Sequence, residues 1–157
     1  MPIIRVELSA AGLDAAIAEL KEYQQKVEAL GEKVAKRLAN DGAANAQELA
    51  SFMNAVDTGE LVGSIKGEAE GNTGYVRATA GHAAYVEFGT GVVGARSPHP
   101  GGGWAYDVNG HGDDGWYYYK NGSKHWTRGM PSRPYMWDTA EMMAQAVPNV
   151  VAEELQS

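Results

Sequence analysis

The chain has 157 residues, no cysteine, and 20 carboxylates against 13 lysines and arginines, a formal charge of −7. These facts exclude disulfides, thiolate metal sites and cysteine nucleophiles, and an acidic chain without a basic run is unsuited to tight binding of nucleic-acid phosphates. The length suits one domain, but Leu, Ile, Val and Phe together number only 27, so the expected core is small, rich in alanine, and completed by packing against copies of itself or other chains.

In chain order, residues 2–8 come first, with Ile4, Val6 and Leu8 alternating against Arg5 and Glu7 as in a short strand. The segment lacks the basic-then-apolar order of a signal peptide, and no apolar run reaches the roughly 18 residues of a membrane span. The chain is therefore expected to be soluble and made in the cytoplasm. Ser9 is placed to cap a helix. From there Leu13, Ile17, Leu20, Val27, Leu30, Val34 and Leu38 fall on one helical face. That face predicts either a core-facing helix or a free coiled-coil seam interrupted at Gln24 and Gly31. A break is expected near Asp41-Gly42, with helix resuming over 43–56.

Asp57-Thr58-Gly59-Glu60 has the cap and third-position acid of a capping box and should open a short helix. A hairpin follows, with strands Ser64–Glu70 and Tyr75–Ala80 around a four-residue turn, Gly71 to Gly74. Its inner face, Ile65, Gly67 and Ala69 against Val76, Ala78 and Ala80, is small enough for a helix to lie close. Its outer face pairs charges across the strands.

From Gly89 to Gly129 the composition changes, with 11 of the 20 glycines and three of the four tryptophans. Residues 92–115 are expected to form a flexible loop. Trp116-Tyr117-Tyr118-Tyr119 and Lys124-His125-Trp126-Thr127 flank Asn121-Gly122, a strong hairpin signal over 116–127. Pro131-Ser132-Arg133-Pro134 then leads into a helix from about Tyr135 to Ala146. Pro148 ends or kinks it, and a short helix over Asn149–Leu155 follows. The fold class is α+β: an antiparallel sheet packed by a long N-terminal helix and a C-terminal helix, with the glycine- and aromatic-rich loop and hairpin inserted. One domain spans 1–157.

Catalytic signatures are lacking. No Gly-x-Ser-x-Gly elbow is present, and the spacing of Asp57 and Glu60 is explained by helix capping. Gly89-Thr90-Gly91 and Gly101-Gly102-Gly103 lack the residues that complete a phosphate loop. His99, His111, Asp113, Asp114 and His125 have ligand chemistry, but no pair has the spacing that fixes two ligands on one helix. The aromatic hairpin is suited to a protein interface, with Trp104, Tyr106, Trp116, Tyr118 and Trp126 as the candidate contacts. It could also stack sugars.

Three segments in order carry a more specific signal: Val56-Asp57-Thr58-Gly59-Glu60-Leu61-Val62-Gly63-Ser64-Ile65 after a long helix, Ala83-Ala84-Tyr85-Val86-Glu87-Phe88-Gly89-Thr90-Gly91 after a hairpin, and Thr127-Arg128-Gly129-Met130-Pro131-Ser132-Arg133-Pro134-Tyr135-Met136-Trp137 before a last helix. Together they resemble the head–tail connector and tail-completion family of long-tailed bacteriophages and prophages. Some members share the aromatic hairpin seen here at Trp116–Gly129.

The resemblance implies a non-enzymatic virion subunit without a cofactor, in a ring of six copies at the junction of capsid and tail. Its partners would be further copies of itself and the neighbouring head-completion, adaptor and tail proteins. DNA would pass through the channel without specific binding, and no membrane is involved. On this reading Asp57 and Glu60 shape the turn before the sheet and Gly59 permits it, while Tyr85, Val86 and Phe88 fix the segment leaving the hairpin. Gly89 and Gly91 supply backbone freedom, and Arg133 and Pro134 set the entry to the last helix. The alternative, from the histidines, is a metal-dependent hydrolase or binding module using His99, His111 and His125.

Overall fold

A computed structural model describes residues 9–55, 57–106 and 114–156; the strand expected over 2–8 lies outside them. Ser9 caps α1, its Oγ accepting from the Gly12 amide at 3.1 Å. The helix then runs unbroken over Ala10–Phe52. The expected break at Asp41-Gly42 is absent because Gly42 serves close packing. It is buried, and a Cβ there would sit 2.8 Å from Val76 and 3.3 Å from Met143. A mid-helix glycine costs about 1 kcal/mol, which the burial of Ala39, Ala43, Ala46 and Ala50 along the same helix exceeds. The true end is a Schellman turn. Asn54 takes φ +52°, its amide donates to Ser51 O, and the Ala55 amide donates to Ala50 O.

The buried face of α1 is its alanine stripe, and this corrects the reading of Leu13 to Leu38 as the core-facing row. Leu13 is 56% exposed, and Ile17, Leu20 and Val27 are also exposed, whereas Ala35, Ala39, Ala43, Ala46 and Ala50 are buried. The reason is the sheet below. β1 (Ile65–Glu70) and β2 (Thr73–Ala78) pair antiparallel, with Gly67 opposite Val76 and Ala69 opposite Gly74. The backbone of α1 rests on the two glycines. A Cβ on Gly67 would collide with the Ala39 carbonyl, and one on Gly74 would stand 2.6 Å from the Ala35 carbonyl oxygen. Only small residues fit at so short a separation. Gly74 therefore belongs to the strand, and the turn has two residues, Gly71-Asn72, where four were expected. The predicted faces hold as far as Ala78, where the strand ends two residues before the expected Ala80; Lys66, Glu68 and Glu70 stand opposite Arg77, Tyr75 and Thr73, and Arg77 pairs diagonally with Glu68 at 3.7 Å.

Between α1 and β1, α2 spans Glu60–Ser64. Its N-cap is Gly59 at φ +82°, without a side-chain cap, so the expected capping box led by Asp57 does not form. The Asp57 carboxylate instead pairs with Lys120 Nζ at 2.6 Å. Next come α3 (Ala83–Phe88) and α4 (Gly91–Arg96). α4 corrects the expectation of a loop beginning at 92: Gly91 and Gly94 are buried, placed where larger residues would collide with Trp116 and Tyr106. Residues 107–113, with His111 and Asp113, lie outside the described residues.

The aromatic hairpin forms as its turn dictates. β3 (Trp116–Lys120) pairs with β4 (Ser123–Thr127), and Asn121 and Gly122 take φ +52° and +77°, as a primed turn requires. The two hairpins are separate two-stranded sheets.

Finally α5 runs over Tyr135–Gln156 with Pro148 inside it, where two helices were expected. Proline removes one helical hydrogen bond, but the segment beyond it is held by tertiary contacts. Val150 is buried, and Glu153 and Glu154 pair with Arg37 of α1 at 2.6 and 3.1 Å. The core joins Ala46, Ala50, Leu61, Ile65, Val86 and Tyr135, and so lies where α1, the first hairpin, α3 and α5 meet.

Candidate functional site

The second and third sequence segments lock into one another, and a buried carboxylate holds them. Glu87 is 6% exposed on α3. Its Oε2 accepts from the Met136 amide at 2.9 Å and its Oε1 from the Trp137 amide at 3.0 Å. These are second and third residues of α5, so Glu87 caps that helix from 49 residues upstream. A carboxylate suits the place because it satisfies two orphan amides and opposes the positive end of the helix dipole. The same Oε1 lies 2.9 Å from His99 Nε2. His99 Nδ1 accepts from the Gly101 amide at 3.0 Å, which places the ring proton on Nε2, directed at Glu87.

Backbone bonds complete the lock. Arg133 N donates to Val86 O at 3.0 Å, Ser132 Oγ donates to Glu87 O at 2.7 Å, and Thr90 and Met130 exchange amide bonds at 2.9 and 3.2 Å. Gly89 at φ +80° makes room: a Cβ on it would stand 2.6 Å from the Ser132 nitrogen. Phe88 carries the aromatic layer above. Its ring packs 4.4 Å from His99 and stacks at 4.7 Å on Trp104, whose Nε1 donates to Gly89 O. Below, Tyr135 is 1% exposed. Burial, and then the charge of Glu87, pushes its phenol up to about 12.

The structure divides the candidate contact residues. Trp104, Tyr106 and Trp116 are half-buried and bonded or packed inward, Tyr106 Oη accepting from the His99 amide and Trp116 lying over Gly91. Tyr118 and Trp126 are exposed, but on opposite faces of the hairpin. Tyr118 shares a face with Trp116, Lys120 and His125, and Trp126 shares the other with Tyr117, Tyr119 and Lys124. Tyr119, the most exposed at 73%, and Tyr117 were missed; the alternation of Tyr117 and Tyr119 with Trp116 and Tyr118 was the available signal. Glu87 and His99 were missed as a pair. An acid between Val86 and Phe88 was the only hint, and its partners lie far along the chain.

His99 and His125 are each engaged with other residues, and His111 lies outside the described residues. Both ring nitrogens of His99 are engaged within the lock, and His125 stacks on Tyr118 at 5.4 Å. Among the described residues no three His, Cys, Asp or Glu side chains are grouped to hold a metal ion. No described helix is long and apolar enough to cross a membrane.

Residues 14–89 match the family model described as "Bacteriophage HK97-gp10, putative tail-component". This stretch is an HK97-gp10-like domain. No curated protein and no solved structure matches the chain. The family is one of structural parts of phage tails. The HK97-gp10-like domain takes in most of α1, α2, the first hairpin and α3, and its last residue, Gly89, lies within the lock. Glu87 of that domain thus reaches out to found α5, beyond the matched stretch.

Proposed function

We propose that the chain is a structural, non-enzymatic virion protein that joins the phage capsid to the tail, as one of six copies in a neck or tail-completion ring. The observation that carries this reading is the HK97-gp10-like match across α1 to α3. Physical features support it. The core is thin and built largely of alanine, while Leu13, Ile17, Leu20 and Val27 stay exposed along one side of α1, as suits a subunit finished by its neighbours. A net charge of −7 suits a channel wall along which DNA slides without adhering.

The test is electron microscopy of induced lysate from a prophage carrying an early stop codon in this gene. DNA-filled heads beside free tails of normal length are expected. Tails of irregular length would indicate tail termination instead, and intact infectious particles would refute the structural reading.

A further inference from the structure

We infer that residues 2–8 of one copy add as a third strand to the open edge of β2 in a neighbouring copy, with Ile4, Val6 and Leu8 turned into the groove beside that edge. This rests on the ring reading above and names the contact that would build the ring.

The acceptor is an unpaired sheet edge over an apolar groove. The Thr79 amide donates to Ser64 O, so in the observed register the bonded pairs are Lys66–Arg77, Glu68–Tyr75 and Glu70–Thr73. Gly74, Val76 and Ala78 direct their N–H and C=O groups to the other side of β2, where they meet no partner among the described residues. Such a row is a template for another strand. The far edge of β1 is closed at Ile65, whose carbonyl accepts from Gln47 Nε2 at 3.0 Å. Beside the open edge runs a groove of about 510 Å³, floored by α1 and walled by β2 and α5, with Val34, Leu38, Val76, Met136, Ala140 and Met143 in its lining. β1 contributes nothing to it, so it lies on the β2 side. A strand laid on β2 turns alternate side chains toward α1, and an apolar row on that face fills the groove.

Reach selects the occupant. Ile4, Val6 and Leu8 alternate with Arg5 and Glu7, the pattern of a strand with one face covered, and a strand needs an edge to pair with. The segment precedes Ser9, the cap of α1. α1 meets the first hairpin between Gly31, beside Asn72, and Gly42, beside Val76. At 1.5 Å per residue these positions lie about 30 and 50 Å along the helix from Ala10. Residues 2–8 at full stretch cover about 24 Å, too short to run along β2 of their own chain. The second hairpin is anchored by Lys120 to Asp57, past the opposite end of α1. The segment therefore finds this edge on a second copy, and every copy offers both halves. Strand addition of this kind gains affinity from main-chain bonds and specificity from alternate side chains in pockets. The contact is heterologous, runs head to tail, and closes into a ring when the rotation permits.

The absence of cysteine gives a clean test. Glu7→Cys and Tyr75→Cys are introduced together and singly, and each chain is supplied to the stop-codon prophage. Particles are then treated with a short bismaleimide and run on a denaturing gel. The double variant is expected to give a ladder of covalent oligomers from dimer upward, and each single variant to give no ladder beyond dimer. Joined particles in which the double variant gives no ladder, or only a link within one chain, would overturn the strand contact while leaving the ring reading intact. Infectious particles from the uncomplemented stop-codon prophage would overturn the ring reading, and this inference with it. A second readout decides the matter if the cysteine pair itself prevents joining. Val6→Pro removes a ladder donor, and Val6→Asp puts a charge into the groove. Each is expected to lower the yield of joined particles at least tenfold with the far-UV spectrum of the purified chain unchanged, while Val6→Ile keeps the yield. An undiminished yield from Val6→Pro and Val6→Asp would also overturn the inference.

Discussion

Replacing Glu87 tests whether one carboxylate holds the two halves of the lock. Glu87→Ala strands the Nε2–H of His99, which is itself 6% exposed, and leaving a buried donor unpaired costs about 1–3 kcal/mol. It also takes the acceptor from the Met136 and Trp137 amides, and losing a helix cap with its charge costs about 1–2 kcal/mol more. The sum is a loss of about 2–5 kcal/mol, reaching the cost of breaking a buried ion pair. Glu87→Gln keeps one oxygen for an amide but turns an NH₂ toward a second donor and discards the charge, so a loss of about 2 kcal/mol is expected.

The assay is urea denaturation followed by far-UV circular dichroism, with the midpoint shifting and the slope unchanged. Pairing Glu87→Met with His99→Phe extends it to a double-mutant cycle: the two should couple by at least about 1 kcal/mol, since the double variant removes the His99 Nε2–H that Glu87→Met alone would strand. Glu87→Gln within about 0.5 kcal/mol of the parent chain, the range of ordinary surface substitutions, would refute the reasoning, as would additivity in the cycle.

Gly67→Ala should destabilise by about 2–3 kcal/mol, because the new Cβ meets the Ala39 carbonyl; Gly63→Ala, with open space around it, should be neutral or slightly stabilising in the same denaturation experiment. Tyr135 gives a pH dependence. Its phenol ionises at about 12 in the fold against 10.0 ordinarily, so between these values the native state keeps a proton that the unfolded state has lost. Stability is thus intact below about pH 10 and falls by up to about 3 kcal/mol as pH rises to 12. Tyrosinate absorbance should show one late-titrating group, which Tyr135→Phe abolishes. Pro148→Ala should restore a helical hydrogen bond inside α5 and raise stability by about 1–3 kcal/mol, read as a higher thermal midpoint.

What was legible in the sequence was local. Asn121-Gly122 announces its turn because both residues must take positive φ, and Ser9 announces its helix because the cap needs only the next few amides. The faces of the first hairpin followed from alternation alone. What was hidden depends on distant partners. Gly42 and Gly74 looked like punctuation, yet each admits a neighbouring element. Pro148 looked like an end, yet Glu153 and Glu154 beyond it are held by Arg37. Asp57 had the chemistry of a cap but pairs with a lysine 63 positions away. In the candidate site, the motif around Glu87 stood out as a string of residues. Its function as the cap of α5 is a tertiary fact, as is the inward packing of Trp104, Tyr106 and Trp116.

The paired bonds between Thr90 and Met130 bring together two points 40 positions apart. α4 and the aromatic hairpin both spring from a base whose two ends are stapled side by side. For such a loop each doubling of length adds only about 0.6 kcal/mol of closure entropy, and the core at α1, β1 and α5 lies outside it. The arrangement behaves as a socket: with His99 and Trp104 kept in place against Glu87 and Phe88, an evolving lineage can lengthen, shorten or replace the outer part of the hairpin while the base stays unchanged. Change in what the protein grips is thereby separated from change in what keeps it folded.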